Sequence, residues 1–379
     1  MAKIESIPVL YVRGSNNYDI GYTIGKTFKF WIKEYLETSN DVERYRNFYD
    51  TEHGRAIVNT YMQNGSRSHP NIMSEISGLA NGVGASFEDM FLLQIASELD
   101  FCHLRQISKP KDDDDVIPKG CTDVLVNLKD YRIMGHNDDW TEDVAARVYI
   151  VHVTIENQNG GVKEQFVSYC YPGYLPGFCF GMNESLVVTL NTVCPREANE
   201  YGTPLLICLR SLLGCSTVEE CVSTMKNEPY GCSYGMNINV GSINSSDMCS
   251  MEVSPYKGKT QVIVKKASQE FSLENVCYYY HTNIYKFSEV DESTNGTGSR
   301  LREKRIAEMT SPKCVYDVRV ILGDTVDEKE PIYIEPHPNH VEPHVKTSAT
   351  AIFDISQRKL HVYKSNPKSS TPVLCLPFF

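Results

Sequence analysis

The sequence has no CxxC pair, no surplus of basic residues, no internal repeat and no apolar run approaching the roughly 20 residues of a membrane-spanning helix. Each lack removes a class of function. Lysine and arginine number 37 against 48 aspartates and glutamates, a formal charge of -11. Nucleic acid and anionic membrane surfaces both demand basic patches, so neither is expected as a partner. The N-terminal stretch "MAKIESIPVLYVRG" has a glutamate at position 5 and only about seven residues of apolar bias, too short and too mixed for a secretory signal. Thirteen cysteines are present, an odd number, and they stand singly. Without a leader, that pattern predicts reduced thiols, most of them small buried hydrophobes, in a cytoplasmic protein. The sequons at Asn64, Asn183, Asn244 and Asn295 then carry no information.

What is present divides near residue 120. Residues 18–100 are helical in character: "YDIGYTIGKTFKFWIKEYLE" has apolar residues at helical spacing, with Gly21 and Gly25 on one face where another element could pack closely. "HPNIMSEISGLANGVGASFEDMFLLQIASEL" continues as a helix, a glycine-punctuated turn and a second helix, for which Ser86 is the expected N-cap with Asp89 three residues on. Residues 106–119, "QISKPKDDDDVIPK", read as an exposed linker: charged, proline-bearing and almost without core residues. Beyond it, "TDVLVNLKDYRIMGHN", "RVYIVHVTIENQNGGVKEQFVSYC" and "SLVVTLNTV" alternate as strands, with a polar turn at Asn157-Gln158-Asn159-Gly160. Two helices follow, the second opening with Ser216 and Glu219 in capping-box spacing. Further strands, a basic helix at 298–309 and a closing hairpin over 347–365 complete the chain. Blocks of strands and helices with hairpin connections predict an α+β layered sandwich, not repeated βαβ units.

One dipeptide carries the chemistry. Gly120-Cys121 stands where the linker meets the first strand. Glycine has no Cβ, so its carbonyl can take up strained geometry and be approached closely by the next side chain. The Cys121 thiol could attack that carbonyl, receive the acyl chain from nitrogen to sulfur and lose it to water. The cut would leave Cys121 with a free α-amine of ordinary pKa about 7.7–8.0, able to serve as general base for its own thiol. Such an enzyme needs no catalytic histidine. The alternative for a lone cysteine is packing.

The stretch "KGCTDVLVNLKDYRIMGHNDDW" resembles the cleavage-site region of the acyl-coenzyme A:6-aminopenicillanic-acid acyltransferase family, N-terminal-nucleophile hydrolases that cut themselves at Gly-Cys-Thr. "RGSNNYDIGYTIGKTF", "ISGLANGVGASFEDMFLLQ", "GFCFGMNESLVVTLNTV", "YYHTN" and "SRLREKR" are similar to further family segments, in the family's order. The resemblance implies a four-layer αββα sandwich, with Cys121 as nucleophile and Gly120 supplying the bond cut. Asp139, matching the aspartate of a Gly-x-Asn-x-Asp motif at 135–139, would hold the new amine of Cys121. Asn283 would stabilise the oxyanion, and Asn191 would face the same pocket. Arg300, Arg302 and Arg305 lie where the family keeps an arginine; Arg300 and Arg302 are expected to bind substrate, though three arginines on a helix otherwise read as a solvated face. Asp138, where the family often carries an aromatic, is expected to meet a positively charged substrate. The subunits would be residues 1–120 and 121–379, remaining associated as one folded unit, with a dimer of such pairs open.

Within the family the resemblance runs to hydrolases of N-β-alanyl-dopamine, which implies that small N-acyl amine, with β-alanyl-histamine beside it, as substrate, and no cofactor. An acyltransferase or penicillin-amidase-like hydrolase of the same fold, and an uncleaved binding protein, are the alternatives. No metal is expected: "EPHPNHVEPH" sets His337, His340 and His344 near Glu335 and Glu342, but in a proline-rich loop at spacings that fit no zinc pattern. The Asp112–Asp115 run reads as a solvated, accessible linker.

Overall fold

The computed structural model describes residues 6–100, 104, 120–269, 277–293, 296–337 and 344–379. The linker 106–119 with Asp112–Asp115, and His340 and Glu342, lie outside these residues. In chain order the strands are β1 (Val9–Gly14), β2 (Thr122–Asn127), β3 (Arg132–Thr141), β4 (Tyr149–Glu156), β5 (Val162–Cys170), β6 (Phe180–Asn183) and β7 (Leu186–Thr192). Then come β8 (Met236–Ser242), β9 (Met248–Tyr256), β10 (Lys259–Lys266), β11 (Tyr278–His281), β12 (Val345–Asp354), β13 (Lys359–Tyr363) and β14 (Leu374–Pro377). They make two sheets, one of eight strands in the order β1-β4-β5-β6-β7-β8-β9-β10 and one of six in the order β11-β2-β3-β12-β13-β14. β1 pairs parallel with β4, and the remaining neighbours are antiparallel. The expected α+β class is the class found.

Alternation along the strands explains why the six-stranded sheet is apolar on both faces. Leu125, Met134, Ala351 and Phe353 join the main core, which also contains the first sheet and the N-terminal helices. Val124, Val126, Ile133 and Ile352 point the other way and pack with Ile306, Val318, Ile321 and Leu322, from the helices Thr297–Glu308 and Val315–Leu322. The central strands are therefore buried on both sides, and so is anything polar that they carry.

The glycine face read from the sequence finds its partner within the N-terminal part. Helix Asn17–Thr27 lies against helix Pro70–Val83 so closely that a Cβ on Gly21 would stand 1.9 Å from the Glu75 carbonyl oxygen. Reciprocally, one on Gly78 would stand 2.1 Å from the Tyr18 oxygen. Gly21→Ala must push two backbones apart. Overpacking of this kind costs about 3 kcal/mol, against about 1 kcal/mol gained in helix propensity. A net loss of about 2 kcal/mol is expected in denaturant unfolding; an unchanged midpoint would mean the helices part at no cost.

Local signals were legible to within a residue. The Ser86 hydroxyl accepts from the Asp89 N–H at 3.0 Å, as expected of the cap. The second box is displaced by one: Thr217, not Ser216, caps helix Val218–Lys226, accepting from the Glu220 N–H at 3.1 Å. The Glu220 carboxylate accepts in turn from the Ser216 N–H at 2.6 Å. Both hydroxyl residues could cap; burial of Val218, Cys221 and Met225 sets the phase of the helix and so decides between them. In the β4–β5 hairpin, Asn157 Oδ1 accepts from the N–H groups of Asn159 and Gly161 at 3.0 and 2.9 Å. Twelve of the cysteines lie among the described residues as free thiols, nine of them buried. No helix among the described residues is long and apolar enough to cross a membrane.

Candidate active site at Gly120-Cys121

Cys121 immediately precedes β2, which runs between β11 and β3. Both Gly120 and Cys121 are buried, so the exposure expected of the linker does not extend to the bond itself. Register pairs Thr122 with Asn137 and Asp123 with His136. The period of two then sorts the polar residues onto two faces. Asp123, His136 and Asp138 face the first sheet, since Asp123 Oδ1 accepts from the Thr189 hydroxyl of β7 at 2.6 Å. Thr122, Asn137 and Asp139 face the C-terminal helices, where Asn137 Nδ2 donates to the carbonyls of Leu322 and Ile332 at 2.8 and 3.0 Å.

On the first-sheet face a chain of contacts leads to the thiol. His136 Nδ1 meets Asp123 Oδ2 at 3.1 Å, and Nε2 lies 3.4 Å from Cys179 Sγ. Ligand-type atoms of Cys121, His136 and Asp138 lie within 4.8 Å of one another. Asp138 Oδ1 accepts a short hydrogen bond from the Tyr171 hydroxyl, while Oδ2 is buried with no partner among the described residues. Burial pushes the Cys121 thiol up to about 11, against the pull of His136. Burial works against charge on His136 too, but Asp123 together with Cys179 and Cys121 holds the imidazole well above its ordinary value. Asp138 is raised by burial, in spite of its bond from Tyr171.

On the opposite face one arginine organises the bond. Arg302 is buried; its Nη1 donates to the Gly120 and Cys121 carbonyls at 3.3 and 3.0 Å and to the Thr122 hydroxyl at 2.7 Å. Its Nη2 donates to Asn283 Oδ1 at 2.8 Å and the Ser299 hydroxyl at 3.2 Å. Asn283 Nδ2 donates to the Thr192 carbonyl at 2.9 Å. The Asn283 amide presses so near the cleavage position that a Cβ on Gly120 would lie 2.1 Å from Nδ2. Any Cβ there must displace the Asn283 side chain.

Of the residues singled out from sequence, Gly120, Cys121, Asn283 and Arg302 therefore converge. Asp139 sits on the Arg302 side, with Oδ1 accepting from the Thr347 hydroxyl at 2.6 Å and Oδ2 buried without a partner among the described residues. Burial pushes its carboxyl up to about 7, against the Arg302 charge. Asn191 shares a strand face with Thr189, but its Nδ2 donates to Asn237 Oδ1 at 2.9 Å, and no hydrogen bond recorded for it reaches Gly120 or Cys121. The solvated-arginine reading fails for Arg302 alone. Arg300 is exposed near Glu292, and Arg305 pairs through two nitrogens with Asp324 at 3.0 and 2.9 Å. Helix phase separates the three, because Ser299, Arg302 and Ile306 make the buried stripe. The described loop residues Glu335, His337 and His344 join no cluster of metal-ligand side chains.

Sequence reasoning missed His136, Cys179, Thr189 and Tyr171. One signal was available: His136 and Asp138 share a parity on one strand, so whatever Asp138 faces, His136 faces as well.

The profile of the acyl-coenzyme A:6-aminopenicillanic acid acyl-transferase family matches residues 126–369, more than half of the chain. The chain belongs to this acyl-transferase family. The match begins at Val126, so Gly120-Cys121 lies just outside it. The chain is also similar to the beta-alanyl-dopamine/carcinine hydrolase of Drosophila melanogaster. The two are 29% identical over 387 aligned positions, covering 98% of this chain and 96% of the fly enzyme.

Proposed function

We propose that this chain is a cysteine amidohydrolase that first cuts its own Gly120–Cys121 bond and then hydrolyses β-alanyl amides, N-β-alanyl-dopamine and β-alanyl-histamine among them. The observation that carries this reading is the grip of Arg302 on the Gly120 carbonyl oxygen beside the Cys121 thiol. A cationic donor there draws electrons from the carbonyl that the sulfur must attack, as an oxyanion site does. In the uncleaved chain Cys121 has no free amine, so another group must take the thiol proton. His136 lies within 4.8 Å; once its imidazole has given up its proton to solvent it can take the thiol's, re-forming the imidazolium that Asp123 favours. The sulfur bonds to the Gly120 carbon, the Gly120–Cys121 C–N bond breaks, and the Cys121 nitrogen leaves with a proton. Water then hydrolyses the thioester.

The freed α-amine would take over as base in the mature enzyme, with Asp139 Oδ2 as its counter-charge. Substrate would acylate Cys121, releasing its amine, and water would release β-alanine. Support for the substrate class comes from the similarity to the fly hydrolase and from the unpartnered Asp138 oxygen near the thiol. We read the two sheets and their flanking helices as the four-layer αββα arrangement. Fragments 1–120 and 121–379 would stay together, since β1 pairs with β4 and the N-terminal helices share the main core with the first sheet. The free buried thiols suit a reducing compartment such as the cytoplasm.

The test is the N-terminal residue of the larger fragment in purified protein, expected to be Cys121. A single full-length chain would leave the binding-protein reading in its place. The family's name favours one second reading, transfer of the acyl group to an amine instead of water. Supplying an acyl donor with an amine acceptor and looking for the exchanged amide separates the two. A further prediction concerns the glycine. Gly120→Ala must displace the Asn283 amide, which Thr192 and Arg302 hold, and misplacement on the order of 1 Å costs roughly 100-fold. Self-cleavage of that variant, followed by gel densitometry, should slow about that much; wild-type rates would mean Asn283 plays no part in maturation.

A further inference from the structure

The first-sheet face of β2 and β3 brings together more metal-ligand chemistry than self-cleavage requires. A sulfur, an imidazole nitrogen and a carboxylate oxygen, from Cys121, His136 and Asp138, stand within 4.8 Å of one another, all buried. A second sulfur, Cys179 Sγ, stands outside that trio but 3.4 Å from His136 Nε2. In a tetrahedral zinc site, with Zn–N about 2.0–2.1 Å and Zn–S about 2.3 Å, adjacent nitrogen and sulfur ligands lie about 3.6 Å apart. Cys179 and His136 already lie close to one edge of such a tetrahedron.

Two further features point to a ligand. Asp138 Oδ2 is buried and has no hydrogen-bond partner among the described residues. His136 is held from behind: Nδ1 meets Asp123, whose other oxygen accepts from Thr189. That is the outer arrangement of a metal-binding histidine, with a carboxylate fixing the ring and leaving Nε2 for the cation. Two thiols with one imidazole and one carboxylate suit zinc and disfavour magnesium or calcium, which prefer oxygen throughout.

We propose that Cys121, His136, Asp138 and Cys179 form a reversible inhibitory site for a thiophilic divalent cation, zinc above all. Binding takes the metal onto both sulfurs, His136 Nε2 and an Asp138 oxygen, and releases to solvent the two thiol protons and the imidazolium proton on Nε2. No electron changes hands. With its sulfur bound to the metal, Cys121 can attack neither Gly120 nor a substrate. Removing the metal restores the thiol. The binding goes beyond the hydrolase reading and does not depend on it, because the ligands are present whether or not the chain turns over any amide.

The test is cobalt and zinc titration of the full purified chain, stripped with a chelator and kept reduced. One equivalent of cobalt should give the thiolate charge-transfer and visible bands of a tetrahedral site, and one equivalent of zinc should displace them. X-ray absorption of the zinc-loaded wild type should count two sulfurs beside nitrogen and oxygen. Cys179→Ser and Asp138→Asn should each weaken zinc binding by at least about 10-fold, while Cys375→Ser, at an exposed position elsewhere, should not. A shell with no sulfur, or affinity that neither variant changes, overturns the proposal. The absorption measurement requires no substitution, so a variant that fails to fold does not rescue it.

Discussion

Cys121→Ala is expected to purify as one uncut chain and to lose at least about 10⁴-fold in amide hydrolysis, the scale on which removing a nucleophile acts. The wild type, by contrast, should yield two fragments, the larger about twice the mass of the smaller and beginning at Cys121. Both losses follow from one sulfur. Without it nothing attacks the Gly120 carbonyl that Arg302 holds, and no thioester forms with substrate. If Cys121→Ala still splits between residues 120 and 121, an outside protease makes the cut and the autocatalytic mechanism is wrong. Cys121→Ser sharpens the test. Its hydroxyl can occupy the same place but is a far poorer nucleophile near neutrality, so maturation should be slow or absent. Maturation at the wild-type rate would show that thiol chemistry does not limit the reaction.

Asp138→Asn should separate substrates by charge. A β-alanyl group carries an ammonium at neutral pH, and burying that charge unpaired costs several kcal/mol. Asp138 has one oxygen committed to Tyr171 and one free of partners among the described residues, close to Cys121. Asparagine can still accept from Tyr171 through its carbonyl, so the packing survives and the charge goes. KM for β-alanyl-dopamine should rise and kcat/KM should fall by roughly 10- to 100-fold, equivalent to ~1.5–3 kcal/mol for one charged contact. N-acetyl-dopamine has no ammonium, and its poorer hydrolysis should barely change. Self-cleavage should be intact. Equal losses on both substrates would place Asp138 in the catalytic machinery instead. Unchanged kinetics would put the ammonium partner elsewhere, though Asp123, the other carboxylate described on that face, is a poor candidate. Its two oxygens are already taken by Thr189 and His136.

Ring contacts near Asp138 bear on what such a substrate would meet. Tyr171 stacks obliquely on Trp140 at 5.0 Å between centroids and meets Phe178 and Tyr174 edge-on at 5.8 and 5.9 Å. An aromatic amine leaving group, or the ammonium itself over a ring face, would find favourable partners in this wall.

By itself the sequence determined the class of fold, the helical character of residues 18–100, the strand that opens after Cys121 and the cysteine to watch. These are local or periodic properties. Alternation marks strands, helical spacing marks amphipathic faces, and a glycine before a cysteine at a strand boundary is visible in two letters. The edge strands β1, β11 and β14 did not stand out, because such short segments become strands only where a neighbour supplies hydrogen bonds. Only the tertiary structure decided which arginine matters, because Arg300, Arg302 and Arg305 are equivalent in composition and are sorted by the side of one helix that meets β2. It also put the Asn191 amide nitrogen on Asn237 and brought together His136 of β3 and Cys179, which stands just before β6. Two side chains 43 positions apart, at 136 and 179, cannot announce their contact in a linear pattern. They meet because β2 and β3 are packed face to face with the first sheet, and that packing is settled by the whole core at once.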